Sequence, residues 1–418
     1  MRGLRRLRAY GTAPRCRPPC PGAFEIARSH QPPRVSDDAA ITVQVASSIA
    51  SVDPAAWNAI AGTQPFVRHE FLNALHETGC ASASTGWAPQ YLLLMEGGEL
   101  AGAMPLYLKG HSYGEYVFDW SWADAYRRHG LEYYPKLLCA IPFTPVGGPR
   151  LLARTAGQRA HLAAASLALA TELEVSSVHC LFPPEEEATH FERLGMMMRH
   201  GVQFHWTNAG YAGFDDFLAS MNHDKRKKIK QERRKIREAG ITFEWREGRE
   251  ITDRDWAFFY RCYSRTYREH HSTPYLTLPF FQRIGATMPE NLVMVIASRE
   301  GKPIAASFNM RDETSLYGRY WGAIEHHPVL HFETCYYQVI EYCIARGVST
   351  FEGGAQGEHT KLARGLLPVQ TRSMHWIARR DFASAIENFL ERETEGIAHH
   401  LDELNERKPF KNLPAAGP

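Results

Sequence analysis

The sequence predicts an α/β (α+β) protein of two domains built on one plan, each a mostly antiparallel sheet flanked by helices. Three observations point there. One order of elements runs twice along the chain: strand, helix, three-strand meander, helix, strand. The two hairpins align, "LMEGGELAGAMPL" over "ASREGKPIAASFN". The helices before them align through Trp57 and Trp256, and the stretches between, "PFVRHEFL" and "PYLTLPFF", also match. At 418 residues the chain is too long for one ordinary core and suits two domains of roughly 150–200 residues. The expected divisions are an Arg/Pro-rich tail over 1–38, a first domain over 41–205, a second over 206–380 and an amphipathic C-terminal helix over 381–408.

In chain order, "MRGLRRLRAYGTAPRCRPPCPGAF" is almost free of acid, as organelle transit peptides are. A disordered tail from an upstream start codon is the other reading. The segment lacks the apolar core of a secretory signal. The expected location is therefore cytoplasmic, or an organelle if the tail is a transit peptide. From Ile41, "ITVQV" alternates as a strand. "SVDPAAWNAI" opens a helix with Asp53 as N-cap and Pro54 at the first helical position. "QYLLLMEGGELAGAMPLYL" reads as a hairpin turning at Gly97-Gly98, and "EYVFDW" as the meander's continuation. A helix near Arg159–Glu172 and the strand "SVHCLF" complete the first copy. In the second, "GITFEWREG" is a strand and "TDRDWAFFYRCYSRTYREH" a helix capped by Thr252. A hairpin turning at Glu300-Gly301, the strand "TSLYGRYWG", a helix stopped by Gly347 and a last strand "STFEGG" follow. "DFASAIENFLERETEGIAHHLDEL" is amphipathic, and "KPFKNLPAAGP" should fray.

Composition excludes several classes. Hydrophobic content of 44% and charge of 22% are those of a soluble globular protein. A formal net charge of +2 is too small for a dedicated nucleic-acid binder, so any polyanion contact must be local. The eight cysteines show no CxxC spacing and read as reduced thiols. HExxH, Walker, GxSxG, GxGxxG and zinc-ligand spacings are absent, so no metal is expected. No apolar run reaches the ~18–20 residues that span a bilayer. Oligomeric state is not legible.

Chemistry concentrates in "FEGGAQGEHTKLARGLLP". An apolar strand ends in a loop carrying Gln356, Glu358, His359, Lys361 and Arg364 among Gly353, Gly354 and Gly357. Amide-forming acyl transfer needs a proton acceptor, oxyanion donors and an acid for the leaving group. Glu358 and His359 are candidate acceptors. Lys361 and Arg364 suit phosphate or carboxylate, and the glycines let backbone approach a ligand. Glu333 is a second candidate, or a structural acid favoured by the helix dipole. Arg150 suits a carboxylate clamp or a surface salt bridge. Nine Lys/Arg residues between Lys225 and Arg237 stand against Glu232 alone. That run is either a solvated helix docked by Ile229 and Ile236 or a contact for tRNA backbone, CoA phosphates or lipid pyrophosphate.

The order of elements, with "FDWSWADAYRRHGLEYYPKLLCAIPFTPVGGPRLL", "TPYLTLPFF", "LYGRYWGA", "HFETCYYQVIEY" and "FEGGAQGEHTKLARGLLPVQTRSMHWI", resembles a Fem-like family of tandem GNAT N-acyltransferases over roughly Ile41 to Glu393. The family is of the "peptidoglycan biosynthesis/recognition" type. The resemblance implies two GNAT-like domains and acyl or aminoacyl transfer to an amine of an amino acid, peptide or cell-wall precursor. It implies acyl-CoA or aminoacyl-tRNA as co-substrate, with no tightly bound cofactor. It points to Asp124, Tyr134, Lys136, Arg319 and Trp321 as substrate-binding residues, and to Tyr336 as an acid. One departure is plain: "GAIEHHPVLH" stands where ordinary GNATs carry the CoA-pyrophosphate loop. A non-catalytic recognition protein for a peptidoglycan fragment or tRNA is the alternative.

Overall fold

The computed structural model describes residues 41–355 and 357–411. The tail 1–38, Gln356 and the final stretch 412–418 lie outside the described residues. The duplication appears first in backbone register. In the first hairpin, Tyr91–Glu96 with Glu99–Met104, the pairing slips at Leu94/Met95 and leaves Ala101 as an extra residue. In the second, Leu292–Arg299 with Lys302–Arg311, it slips at Ala297/Ser298 and leaves Ile304 extra. The two bulges fall at equivalent positions of the aligned sequences. Both turns need two residues at positive φ, Gly97 (61°) and Gly98 (88°), then Glu300 (52°) and Gly301 (72°), as two-residue hairpins do.

One four-stranded sheet orders Ile41–Ala46, Tyr91–Glu96, Glu99–Met104 and Leu152–Ala153. An eleven-stranded sheet runs from Ile241–Glu247 through Leu292–Arg299, Lys302–Arg311, Ser315–Ala323, Thr350–Glu352, Met197–Thr207, Leu367–Ile377, Ser177–Leu181, Lys136–Cys139 and Leu106–Lys109 to Trp87–Pro89. Its centre holds an exchange. The strand ending the first copy, Met197–Thr207, pairs with Thr350–Glu352 of the second. The strand ending the second, Leu367–Ile377, pairs with Ser177–Leu181 of the first. The two exchanged strands pair with each other from Leu367↔His205 to His375↔Met197. The larger sheet thus runs through both copies, and the boundary expected at 205/206 falls inside a strand. The exchange also extends the second copy beyond "STFEGG", its expected last strand.

"EYVFDW" is not a strand. Glu115 Oε2 and Asp119 Oδ2 both accept from Lys136 Nζ, at 2.8 and 2.5 Å. An extended backbone would hold residues four apart at ~13 Å. The chain instead curls around the ammonium, with Tyr116 at φ 66°. The meander's third strand is Lys136–Cys139.

The helices form where caps and spacing expected them. Asp53 accepts from Ala56 N at 2.8 Å ahead of Pro54–Ala61. Thr155 and Gln158 form a capping box ahead of Ala156–Glu172, and Thr252 caps Asp253–Glu269. The basic helix His223–Glu238 is capped by Asn222 and buries Ile229, Glu232 and Ile236. The C-terminal helix spans Arg380–Glu406. One core runs through both copies, with Phe66 edge-on to Tyr317 at 5.1 Å and Phe71 to Phe280 at 5.6 Å. Among the described residues no helix is long and apolar enough to cross a membrane.

Candidate functional site: a cleft where the second copy's sheet opens

The strands Ser315–Ala323 and Thr350–Glu352 pair in parallel for three rungs, ending at Tyr317↔Glu352. The chain then leaves through Gly353 and Gly354 while the longer strand continues. A cavity of about 440 Å³ fills the gap. A bulge shapes one wall: Phe308 faces Tyr320, the next residue Asn309 faces Gly318, and Arg319 is left extra. Bulges re-aim side chains beside active sites. Here the guanidinium of Arg319 lines the cavity, donates to Phe143 O at 2.7 Å and sits 5.1 Å from the Tyr320 ring centre. Tyr263, Tyr267 and Trp321 supply aromatic wall, and Ser307 and Asn309 are polar groups among them.

The opposite wall is the start of the helix Leu330–Arg346. Its entry is unusual. Val329 precedes it at φ 63°, a left-handed conformation rare for a β-branched residue. The helix then widens into a π-turn over Glu333–Tyr337 before resuming at Gln338. Such turns recur at functional sites. His331 and Tyr336 both line the cavity, with ring centres 5.5 Å apart. Burial, aided by the charges of Arg364 and Lys361, pushes the His331 imidazole down to about 4. It is neutral at physiological pH. Burial pushes the Tyr336 phenol far above its ordinary value, so it keeps its proton. Cys335, on the same wall, remains a thiol for the same reason.

Gly353, Gly354 and Gly357 form the cavity's third side. A Cβ at Gly353 would meet Leu366 Cδ2 at 2.5 Å, and Gly354 and Gly357 lie at φ 74° and 78°. The loop's cations face inward as braces. Lys361 is 2% exposed and donates to Gly354 O, and burial pushes its ammonium down to about 8. Arg364 donates twice to Glu232 on the basic helix, at 3.0 and 2.9 Å, and lies 3.5 Å from the Phe332 ring centre.

The expected site residues therefore divide. Arg319, Trp321, Tyr336, Gly353, Gly354 and Gly357 meet at one cavity. Glu358 lines a second cavity of about 300 Å³ and pairs with His400 at 3.0 Å. His359 is exposed and lines neither. Glu333 is buried against Arg233 (3.0 Å) and Gln338 (2.8 Å). Asp124 pairs on the surface with Arg127 and Arg128. Lys136 is wholly buried, and Tyr134 bonds Ser112 at 2.8 Å beside it. Gln356 lies outside the described residues. Sequence reasoning missed His331 as a cavity group, because its place depends on the π-turn. It also left Glu352 unassigned, although burial pushes that carboxyl up to about 8 directly before the glycines.

Arg150 is the most informative displacement. The first copy has a matching parallel pair, Leu137↔Val178 to Cys139↔Cys180. Its far end is closed by Arg150, wholly buried and donating to the carbonyls of Leu181 (2.8 Å), Val146 (2.6 Å), Gly148 (3.0 Å) and Pro149 (3.0 Å). The loop that Arg150 anchors reaches the second copy instead. Phe143 O accepts from Arg319 and Tyr320, and Pro145 lines both cavities. Tyr116 and Ala355 also line both, so the cavities adjoin.

A family model described as FemAB-like, peptidoglycan biosynthesis/recognition, matches residues 48–412. Among solved structures, the chain is similar to the C-terminal domain (DUF2156) of a putative lysylphosphatidylglycerol synthetase from Agrobacterium fabrum. Identity is 11%, coverage 81% of this chain and 96% of that one, and the TM-score 0.51. It is similar to L-PGS from Bacillus licheniformis at 11% identity, 80% and 95% coverage and TM-score 0.52. FemX aligns at 12% identity, 80% and 98% coverage and TM-score 0.49. No curated protein matches. At these identities the structural likeness speaks for the fold, a tandem GNAT-like α/β architecture.

Proposed function

The chain belongs to the FemAB-like family of peptidoglycan biosynthesis/recognition proteins, and from that premise we propose that it is an N-acyltransferase. It transfers an acyl or aminoacyl group from a phosphate-bearing donor, acyl-CoA or aminoacyl-tRNA, to an amine of an amino acid, peptide or cell-wall precursor. The observation that carries this reading is one cavity holding both proton roles. A neutral imidazole and a protonated phenol face it together, beside a bulged arginine. In the reaction the amine nitrogen bonds the donor's carbonyl carbon, and the bond from that carbon to oxygen or sulfur breaks. His331 takes the nitrogen's proton, and the Tyr336 hydroxyl donates to the oxyanion and then to the leaving group. Arg319 holds an anionic group of either substrate. His331 replaces His359 as the proton acceptor, because His359 is exposed and off the cavity. The second copy carries the chemistry, and the first, with Arg150 in its own opening, is a scaffold that lends Tyr116 and Pro145.

In this reading the donor's phosphates dock on the basic helix. Lys227, Lys228 and Lys230 are exposed on the basic helix, and no carboxylate pairs with them among the described residues. Changing all three to glutamine should flatten the log–log salt dependence of tRNA binding by about 2–3, one phosphate contact per lysine. An unchanged slope would leave the helix as a solvated face. The reading as a whole is tested by incubating the protein with acyl-CoAs and charged tRNAs, with amine acceptors, and weighing the products. New amide mass in the wild type that disappears in His331→Ala supports it. Tight binding of a donor or a peptidoglycan fragment with no acyl product replaces it with the recognition reading.

A further inference from the structure

Behind the smaller cavity runs a chain of buried polar side chains that the reaction above does not use. It begins at Ser373, which lines that cavity and is 3% exposed. Ser373 Oγ lies 2.8 Å from His375 Nε2, and His375 Nδ1 lies 2.7 Å from His179 Nδ1. His179 Nε2 is 3.0 Å from the Tyr133 hydroxyl, which is 2.7 Å from Asp119 Oδ2. Asp119 accepts from Lys136, and Lys136 also donates to Glu115 and to Ser112, both at 2.8 Å. The exchanged strand Leu367–Ile377 is what brings Ser373 and His375 to this place.

The direction of every bond follows from its last member. A carboxylate only accepts, so the Tyr133 hydroxyl donates to Asp119. His179 Nε2 lies between the tyrosine oxygen at 3.0 Å and Ser177 Oγ at 2.8 Å. A bare Nε2 would set its lone pair against that of the tyrosine oxygen, so Nε2 carries the proton, Ser177 Oγ accepts from it as well, and His179 Nδ1 is bare. His375 must therefore supply Nδ1–H, its Nε2 is bare, and Ser373 donates to it. All donors point from the cavity toward the carboxylates.

We infer that this chain is a proton relay, from Ser373 at the smaller cavity to the carboxylates around Lys136, serving an amine that arrives as an ammonium. The inference rests on the transferase reading. An ammonium has no lone pair until one proton leaves. That proton passes to Ser373 Oγ as the serine's own passes to His375 Nε2. The His375 Nδ1 proton moves to His179, the His179 Nε2 proton to Tyr133, and the Tyr133 proton to Asp119. Asp119 returns it to Lys136 as Lys136 protonates Glu115. One proton enters, one is stored, and no electron changes hands. Burial pushes Glu115 up to about 7, despite Lys136 and Lys109 beside it, so it is the member suited to hold a proton near neutrality. The groups facing the histidines are Asp119, Lys136 and Arg199, and burial with these cations keeps both imidazoles neutral.

Tyr133→Phe removes one hydroxyl and cuts the chain while keeping the ring. With an alkyl ammonium acceptor at pH 7, its turnover should fall about tenfold, and KM for the donor should not move. With hydroxylamine, which is neutral at that pH, it should match the wild type. Equal loss with both acceptors, or loss with neither, overturns the relay. A wild type that makes no amide or hydroxamate from any donor instead overturns the transferase reading. Apart from turnover, histidine ¹⁵N spectra of the wild type should show Nδ1 bare on His179 and protonated on His375. The opposite polarity overturns the relay.

Discussion

His331→Ala should lower kcat by roughly 10²- to 10⁴-fold, the usual worth of a positioned general base. KM for the donor should change little, because the aromatic wall and Arg319 remain. His331→Gln, which keeps a polar group but no basic nitrogen, should be nearly as slow. The pH profile gives the sharper reading. The imidazole sits at about 4, lowered first by burial and then by Arg364 and Lys361. A lowered value means that the fold favours the neutral ring. Its contribution to stability is therefore complete above the ordinary histidine range near 6.5 and is lost as pH falls from there toward 4. The acid limb of kcat/KM should accordingly fall at about 4, and His331→Ala should abolish it. An unaltered kcat in the alanine variant would remove His331 from the mechanism.

That assignment shows which parts of the molecule the sequence reveals. The duplication was legible because a two-residue turn and its bulge need particular residues, and "EGGELA" and "REGKPI" supply them at matching places. Glycines clustered after an apolar strand marked the cavity's third side. The direction in which each loop side chain points was not legible. Lys361 and Arg364 look like ligands for an anion in the sequence. In the fold they turn inward, because Gly354 O and Glu232, 132 residues from Arg364, are there to receive them. His331 reads as an ordinary helix-start residue, and the π-turn that aims its helix has no local signature. The strand Leu367–Ile377 was hidden for a related reason. Its inward residues Ser373 and His375 serve a polar chain and the cavity rather than an apolar core, so the alternation that marks a strand is blurred. Strand exchange is a further step away. A pattern of residues specifies a strand, but not which copy's sheet it joins.

Glu232→Ala should cost about 3–5 kcal/mol, the range for breaking a buried ion pair from one side. Glu232 is the one acid in the run of nine cations, and its side chain is only 9% exposed. It binds the Arg364 guanidinium through both oxygens and also accepts from the Tyr337 hydroxyl. Alanine would leave a guanidinium that is 4% exposed with one hydrogen bond, to Thr360 O at 2.9 Å, and a phenol without its acceptor. Removing the charge on both sides should be far milder. Glu232→Met with Arg364→Met leaves no unpaired charge, and the Phe332 ring that now faces the guanidinium would face an apolar chain. Thermal melting of the single and double variants measures the difference. The same pair joins the basic helix to the glycine loop, so the single variant should also lose turnover while its salt slope for tRNA stays that of the wild type. A melting loss equivalent to less than ~1 kcal/mol would place the pair among solvent-screened bridges. The loop would then be held by Lys361 and by the pair of Glu358 with His400.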